Sequence, residues 1–260
     1  MKSVKYIAAA LILSLAAAIM SGCAGFYSGV SKDTVMVKKI PEQKPDEVVE
    51  YNGVLSEETV KTLSMNAVNK YFEHNLSLED IVFEMFFMDQ QGIKTLLADA
   101  TSNVKMDRGF LVEYKEPLKK VASGVYMANV MNIYDPSDAY GVVINAKDGE
   151  VLGISKVTNP SAEKPQKLFT NEELESRANE FVESIGEYKL SDLELDDALY
   201  YRGSVEYYYL KKGSDEVVLS VLLNANTGQG LGFYKDMMTV LQLLMNKMKA
   251  AYMYEEKDKK

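Results

Sequence analysis

The side chains best suited to chemistry in this chain are few. There is one cysteine, Cys23, one histidine, His74, and no tryptophan in 260 residues. Counts this low exclude a Cys-rich zinc site, a disulfide framework and a multi-histidine metal centre. His74 lies in "KYFEHNLS", where apolar spacing places the end of a helix. An imidazole is favoured there by the helix dipole, and no serine motif offers it a catalytic partner. Asp196 and Asp197 are adjacent acids, but neighbours on a strand point to opposite faces and do not converge on one substrate bond. These types and spacings yield no catalytic residue, no metal site and no cofactor.

One stretch is written twice. "YGVVINAKDGEVLGISK" at 140–156 returns 79 positions later as "LSVLLNANTGQGLGFYK" at 219–235. The two share Val142/Val221, Asn145/Asn224, Ala146/Ala225, Gly149/Gly228, Leu152/Leu231, Gly153/Gly232 and Lys156/Lys235. A calcium loop of the EF-hand type wants Gly at position six and Glu at twelve. Counted from Asn145 or Asn224, Gly falls at five and Lys at twelve, so metal binding fails. Asn145, Gly149, Asn224 and Gly228 instead fit a structural turn between apolar strands, a type I turn followed by Gly in the left-handed region.

The elements around these turns also repeat. "LSEETV" offers Ser56 as a helix N-cap with Leu55 and Val60 as a hydrophobic staple. "FTNEEL" offers Thr170 with Phe169 and Leu174, and Glu173 completes a capping box. Val60, Leu63, Ala67, Val68 and Tyr71 fall on one face of the first helix, and Leu174, Ala178, Phe181, Val182 and Ile185 on one face of the second. Short β-rich runs with short connections follow each helix and predict antiparallel meanders. The helix starts are 114 residues apart (Ser56 to Thr170) and the turns 79 (Asn145 to Asn224), so the first stretch carries 35 extra residues. They fall near 89–122, where "QGIKTLLADA" predicts a short helix and "GFLVEYKE" an additional strand. The predicted class is α+β: two tandem units, 55–157 and 169–236, each a helix on a curled antiparallel sheet of about four strands. A Pro-bearing linker at 158–168 separates them, and an amphipathic helix and charged tail at 237–260 follow.

A helix before a curled antiparallel sheet, closing in "apolar run–N-A-x-[D/T]-G-x-x-L-G", resembles the PepSY and PepSY-like units of secreted bacterial proteins. Asn145 and Asn224 stand where that family frequently has Asp. The resemblance implies a cystatin-like α+β shape and a role in binding or restraining partners, often peptidases or envelope proteins. It carries over no catalytic residue.

The N-terminus carries Lys2 and Lys5, an apolar run from Ile7 to Met20, and small residues before Cys23. The run is short for a bilayer span, which needs roughly 20 residues, and suits a signal-peptide core over 1–22. Met20-Ser21-Gly22-Cys23 resembles the lipobox of bacterial lipoproteins, with Met20 in place of the usual Leu, Val or Ile. That resemblance implies cleavage before Cys23 and a diacylglycerol on its thiol. Each buried CH₂ contributes about 0.8 kcal/mol, so two acyl chains hold firmly where one holds marginally. Residues 23–54, with Pro41 and Pro45 among charges, read as a tether, and "TVMVKKI" within it as a possible edge strand. Removing two lysines with the leader takes the formal charge from −9 to about −11. That sign disfavours nucleic acid, and leaves the lipid on Cys23 as the contact with the membrane.

Tyr200, Tyr201, Tyr207 and Tyr209 form a possible binding surface on neighbouring strands, a rigid ring with a polar tip suiting peptide contact. Alternation sends Tyr208 to the face opposite Tyr207 and Tyr209, and strand tyrosines also pack as cross-strand pairs. In the last helix Thr239, Gln242, Asn246 and Lys249 share one face, leaving a Met-rich apolar face that serves a partner surface or packs on the protein itself. The expected function is a noncatalytic lipoprotein on the extracytoplasmic face of the cell membrane (or the outer membrane of a diderm cell), binding an envelope protein or peptide. The PepSY resemblance implies the alternative of a regulator of a secreted peptidase. A hydrolase would require carboxylates distant in sequence to meet in space. Cys23→Ser is expected to release the protein from membranes or block its maturation in a fractionation experiment; undiminished membrane retention would refute the lipid anchor.

Overall fold

Ser56 and Thr170 start two helices in the same way. Ser56 Oγ accepts the Thr59 N–H at 3.3 Å and opens α1, Glu57–Phe72. Thr170 Oγ1 accepts the Glu173 N–H at 3.2 Å while the Glu173 carboxylate accepts the Thr170 N–H at 2.9 Å, a complete capping box. The computed structural model describes residues 53–103, 114–157, 169–201 and 203–257, all within one compact unit spanning 50–260. The leader, Cys23, the tether up to residue 52, most of the 109–116 run, the linker and the last three residues of the tail lie outside the described residues.

After α1 come β1 (Ile81–Met88), α2 (Gln90–Asn103), α3 (Lys115–Lys120), β2 (Val125–Asn132), β3 (Ala139–Asn145) and β4 (Val151–Lys156). Then follow α4 (Asn171–Ile185), a short 3₁₀ turn, β5 (Leu193–Tyr201), β6 (Ser204–Lys211), β7 (Val217–Asn224), β8 (Gly230–Lys235) and α5 (Asp236–Lys257). "QGIKTLLADA" is helical as its spacing predicts. The strand predicted from "GFLVEYKE" is corrected at its end, because Lys115 and Glu116 begin α3 with Pro117 in the first turn, a position Pro tolerates.

The repeat predicts two sheets of about four strands. The strands instead form one antiparallel sheet in the order β1-β2-β3-β4-β8-β7-β6-β5. α1 and α4 cover one face, burying Val60, Ala67 and Val68 from the first and Leu174, Ala178, Val182 and Ile185 from the second. α2, α3 and α5 lie together on the other, with Ile93, Leu97, Val121, Met237, Val240 and Leu241 in a second core. α5 is therefore packed on its own protein, against β7, β8 and β4 and against α2 and α3.

The echoed residues build the middle of this sheet. At each turn Gly adopts positive φ, +81° at Gly149 and +70° at Gly228, and donates its N–H to Asn145 or Asn224 (3.0 and 2.7 Å). The Asn side chain accepts the N–H two residues on, from Lys147 at 3.0 Å and Asn226 at 2.9 Å. One register shift falls between Val143 and Ile144 and another between Leu222 and Leu223, 79 residues on. In each hairpin the shared leucine, Leu152 or Leu231, is the extra residue of a bulge.

β4 and β8 then meet each other. Gly153 pairs with Tyr234, Ile154 with Phe233 and Ser155 with Gly232. Ile154 and Phe233 are themselves repeat equivalents, so a pseudo-two-fold axis passes between them. The glycines permit the approach. A Cβ on Gly232 would stand 2.2 Å from the Ile154 carbonyl oxygen, and one on Gly153 2.3 Å from the Tyr234 ring. Gly232→Ala is expected to cost roughly 2–3 kcal/mol in denaturant unfolding, because backbone cannot yield as a side chain does. Gly186→Ala, at φ +71° with open space beside it, should cost about 1 kcal/mol; equal losses would contradict the steric reading.

Candidate functional site

Lys235, the last residue of β8 and one of the echoed positions, is 3% exposed. Its Nζ donates to Glu150 Oε1 at 2.8 Å and Glu187 Oε2 at 3.0 Å. Glu187 Oε1 also accepts the Tyr71 hydroxyl at 3.0 Å and lies 3.6 Å from Lys70 Nζ. These groups line an open cleft of about 310 Å³ beside α1. Burial works against the charge on Lys235, but the two carboxylates outweigh it and hold the ammonium above its ordinary range. Burial likewise works against the charge on Glu187, and Lys235 and Tyr71 hold that carboxyl below its usual range. Charges so matched form a clamp between the first turn, the end of α4 and the sheet junction.

A second cluster ties α1 to the start of β3. His74 follows the helix cap Glu73, and its Nε2 meets the Tyr140 hydroxyl at 2.5 Å and lies 3.6 Å from Asp138. Tyr140 donates its proton to Asp138 Oδ1, which Lys156 approaches at 3.0 Å. His74 is thus bound to β3 rather than being a free surface imidazole. Burial pushes the Tyr140 hydroxyl far up, reinforced by the Asp138 charge. Burial opposes the charge on Asp138, while Tyr140 and Lys156 hold that carboxyl below its usual range.

The candidate tyrosines separate. Tyr200 and Tyr201 are exposed on β5, whereas Tyr207 and Tyr209 are 2% and 1% exposed under α4. Tyr209 donates to Asn179 at 3.0 Å. Burial removes Tyr207 and Tyr209 from any binding surface; their strand alternation points them into the core, and Tyr208 out of it toward α5. Strict alternation also fails at the acid pair, because β5 bulges between Leu195 and Asp197. Asp197 is held by Lys247 at 3.2 Å, and burial together with the Asp197 charge pushes Asp196 up.

An apolar opening lies on the other face of the sheet, between α2, α5 and strands β2 and β3. It has a volume of about 200 Å³. Met88, Met127, Val143, Met238, Leu241 and Met245 line it, with Asn129, Gln242 and Tyr234 as polar groups. Leu96, Met127 and Met245 are 37–39% exposed at its rim. Gly141 is among the residues that line it. Beside the opening, the polar stripe of α5 faces inward. Thr239 donates to the Tyr234 carbonyl at 2.6 Å, and Asn246 donates to Glu206 at 2.6 Å. Ser220 donates to the other Glu206 oxygen at 2.7 Å. The helical spacing of Thr239, Gln242 and Asn246 thus marks a polar seam against the sheet, opposite to the usual outward stripe.

The lining is dominated by methionine and aliphatic side chains. Adaptable thioethers fill irregular space and accept varied apolar groups. Among the described residues no helix is long and apolar enough to cross a membrane. The signal for Lys235 was visible in the echo, as a charged identity among apolar and turn residues. The pocket left none, because its walls come from six separated elements.

No family model matches the chain, and no curated protein does. Among solved structures the chain is similar to the Bacillus megaterium YpeB C-terminal domain, at 10% identity and a TM-score of 0.39. The likeness covers 71% of this chain and 64% of that one.

The clamp predicts an acid limb. The depressed Glu187 carboxyl contributes stability above its ordinary value of 4.5 that is lost as pH falls through the lower folded value. Glu187→Gln is expected to lower neutral-pH stability by roughly 1–3 kcal/mol and to flatten the decline below pH 4.5. An acid limb of unchanged slope in pH-dependent unfolding would contradict this role.

Proposed function

We propose that the chain is a noncatalytic binding or adaptor module, held at the extracytoplasmic face of the cell envelope by lipid on Cys23. The observation that carries the binding reading is the open, methionine-lined pocket with Leu96, Met127 and Met245 exposed at its mouth. Such a surface takes an apolar side chain or a short amphipathic segment of a protein or peptide partner. The best-placed ionisable groups, Lys235 with its two carboxylates and Asp138 with its three neighbours, are occupied in mutual pairing, which favours recognition over hydrolysis.

The eight strands read as two PepSY-like units joined edge to edge. The order helix then four strands on each side of the junction, the 79-residue echo and the matched bulges support this duplication. The same resemblance favours a second reading, restraint of a secreted peptidase, in which the pocket would grip the peptidase or its propeptide. A photo-crosslinking residue at Met127 or Met245 of the full chain is expected to yield a discrete adduct with one envelope or secreted protein, and the same residue at Glu175, across the sheet, none. Absence of adducts at both pocket positions, or equal adducts at Glu175, would overturn the binding reading. A peptidase as the adduct would select the second.

A further inference from the structure

The two ends of the sheet are finished differently. β5 carries a bulge and three acids, Glu194, Asp196 and Asp197, devices that blunt an edge against further pairing. β1 has no bulge and a single acid, Glu84. It pairs with β2 through eight consecutive residues, from Ile81↔Asn132 to Met88↔Val125, with no bulge. It holds no proline or lysine, and among the described residues no strand pairs with its outer side. Val82 and Phe86 are 42% and 59% exposed on the face of Met127.

The charges along this edge are of one sign. Glu79, Asp80, Glu84 and Asp89 lie between positions 75 and 93, with no Lys or Arg in that interval. A second copy added antiparallel about Glu84 would set Glu84 against Glu84 and Glu79 against Asp89, and like charges directly opposite are destabilising. We propose that the outer edge of β1 binds an extended segment of a partner protein by strand addition. On one face that segment places Lys or Arg opposite Glu84, with apolar side chains two residues to either side, opposite Val82 and Phe86. Main-chain hydrogen bonds supply affinity, and the apolar–basic–apolar pattern supplies selection. Further basic residues four positions from the central one lie toward Glu79 or Asp89.

This inference rests on the reading of the chain as a protein-binding module, but uses the main-chain edge of β1 rather than the pocket, which it adjoins where Phe86 pairs with Met127. Pocket adducts without strand addition would therefore overturn the edge alone. The test is fluorescence anisotropy of the full chain with the peptide Lys-Thr-Val-Thr-Lys-Thr-Val-Thr-Lys, whose symmetry serves either strand direction. Binding is expected, at least tenfold weaker when the three lysines are glutamates or when every backbone nitrogen is methylated, and weaker as salt rises. Glu84→Lys, an exposed change, should reverse the preference between lysine and glutamate peptides. No binding, or binding indifferent to methylation, would overturn the proposal. So would a dimer in sedimentation that Phe86→Ser dissociates, which would assign the edge to a second copy.

Discussion

The close approach of β4 and β8 is the constraint on which the rest of the structure depends. Backbone meets backbone there at a distance that excludes a Cβ on Gly232, and Tyr234 lies directly over Gly153. The Tyr234 hydroxyl then reaches Ser155 Oγ at 3.0 Å, a hydrogen bond between repeat-equivalent residues. Ile154 and Phe233, both fully buried, sit at the pseudo-dyad. Burying side chains of that size contributes about 1.5–3 kcal/mol each, so the junction is held by apolar packing as well as by strand pairing.

From that junction the functional surfaces follow. Lys235 leaves β8 buried beside Glu150 from the first turn and Glu187 from beyond α4, so the clamp needs both stretches of the chain. The pocket needs them too. Met127 and Val143 come from before the junction, and Tyr234, Met238 and Met245 from after it. α5 is fixed over the opening by its polar seam, with Asn246 reaching both Glu206 and Tyr208. Burying a carboxylate against Ser220 and Asn246 costs desolvation that a wrongly seated helix would not recover, which sets the register of α5.

Much of the fold was legible in the sequence because local signals agreed. Ser56, Thr170 and Glu173 cap helices as their types predict, and the NA-x-x-G turns adopt the geometry that positive φ at glycine requires. The joining of the strands into one sheet was harder to read. Gly153 and Gly232 in the echo invite a turn or bulge interpretation, and only the approach of a second backbone shows their use. The site was less legible still. Tyr207 and Tyr209 read as surface aromatics, although strand alternation alone does not say which side a helix will cover. The partners of His74, Tyr140 and Asp138, left no signal beside it because they lie more than sixty positions away. Pocket walls drawn from β1, α2, β2, β3, β8 and α5 leave no contiguous motif.

Native-state hydrogen exchange of the full chain tests the central claim, that a single sheet joined at β4–β8 builds both the clamp and the pocket. The account predicts that amides of 151–156 and 230–235 are among the most protected. They should open only in global unfolding, together with β2, β3, β6 and β7. Two exchange classes, with residues 81–156 and 193–235 opening independently and the junction amides exchanging early, would contradict it.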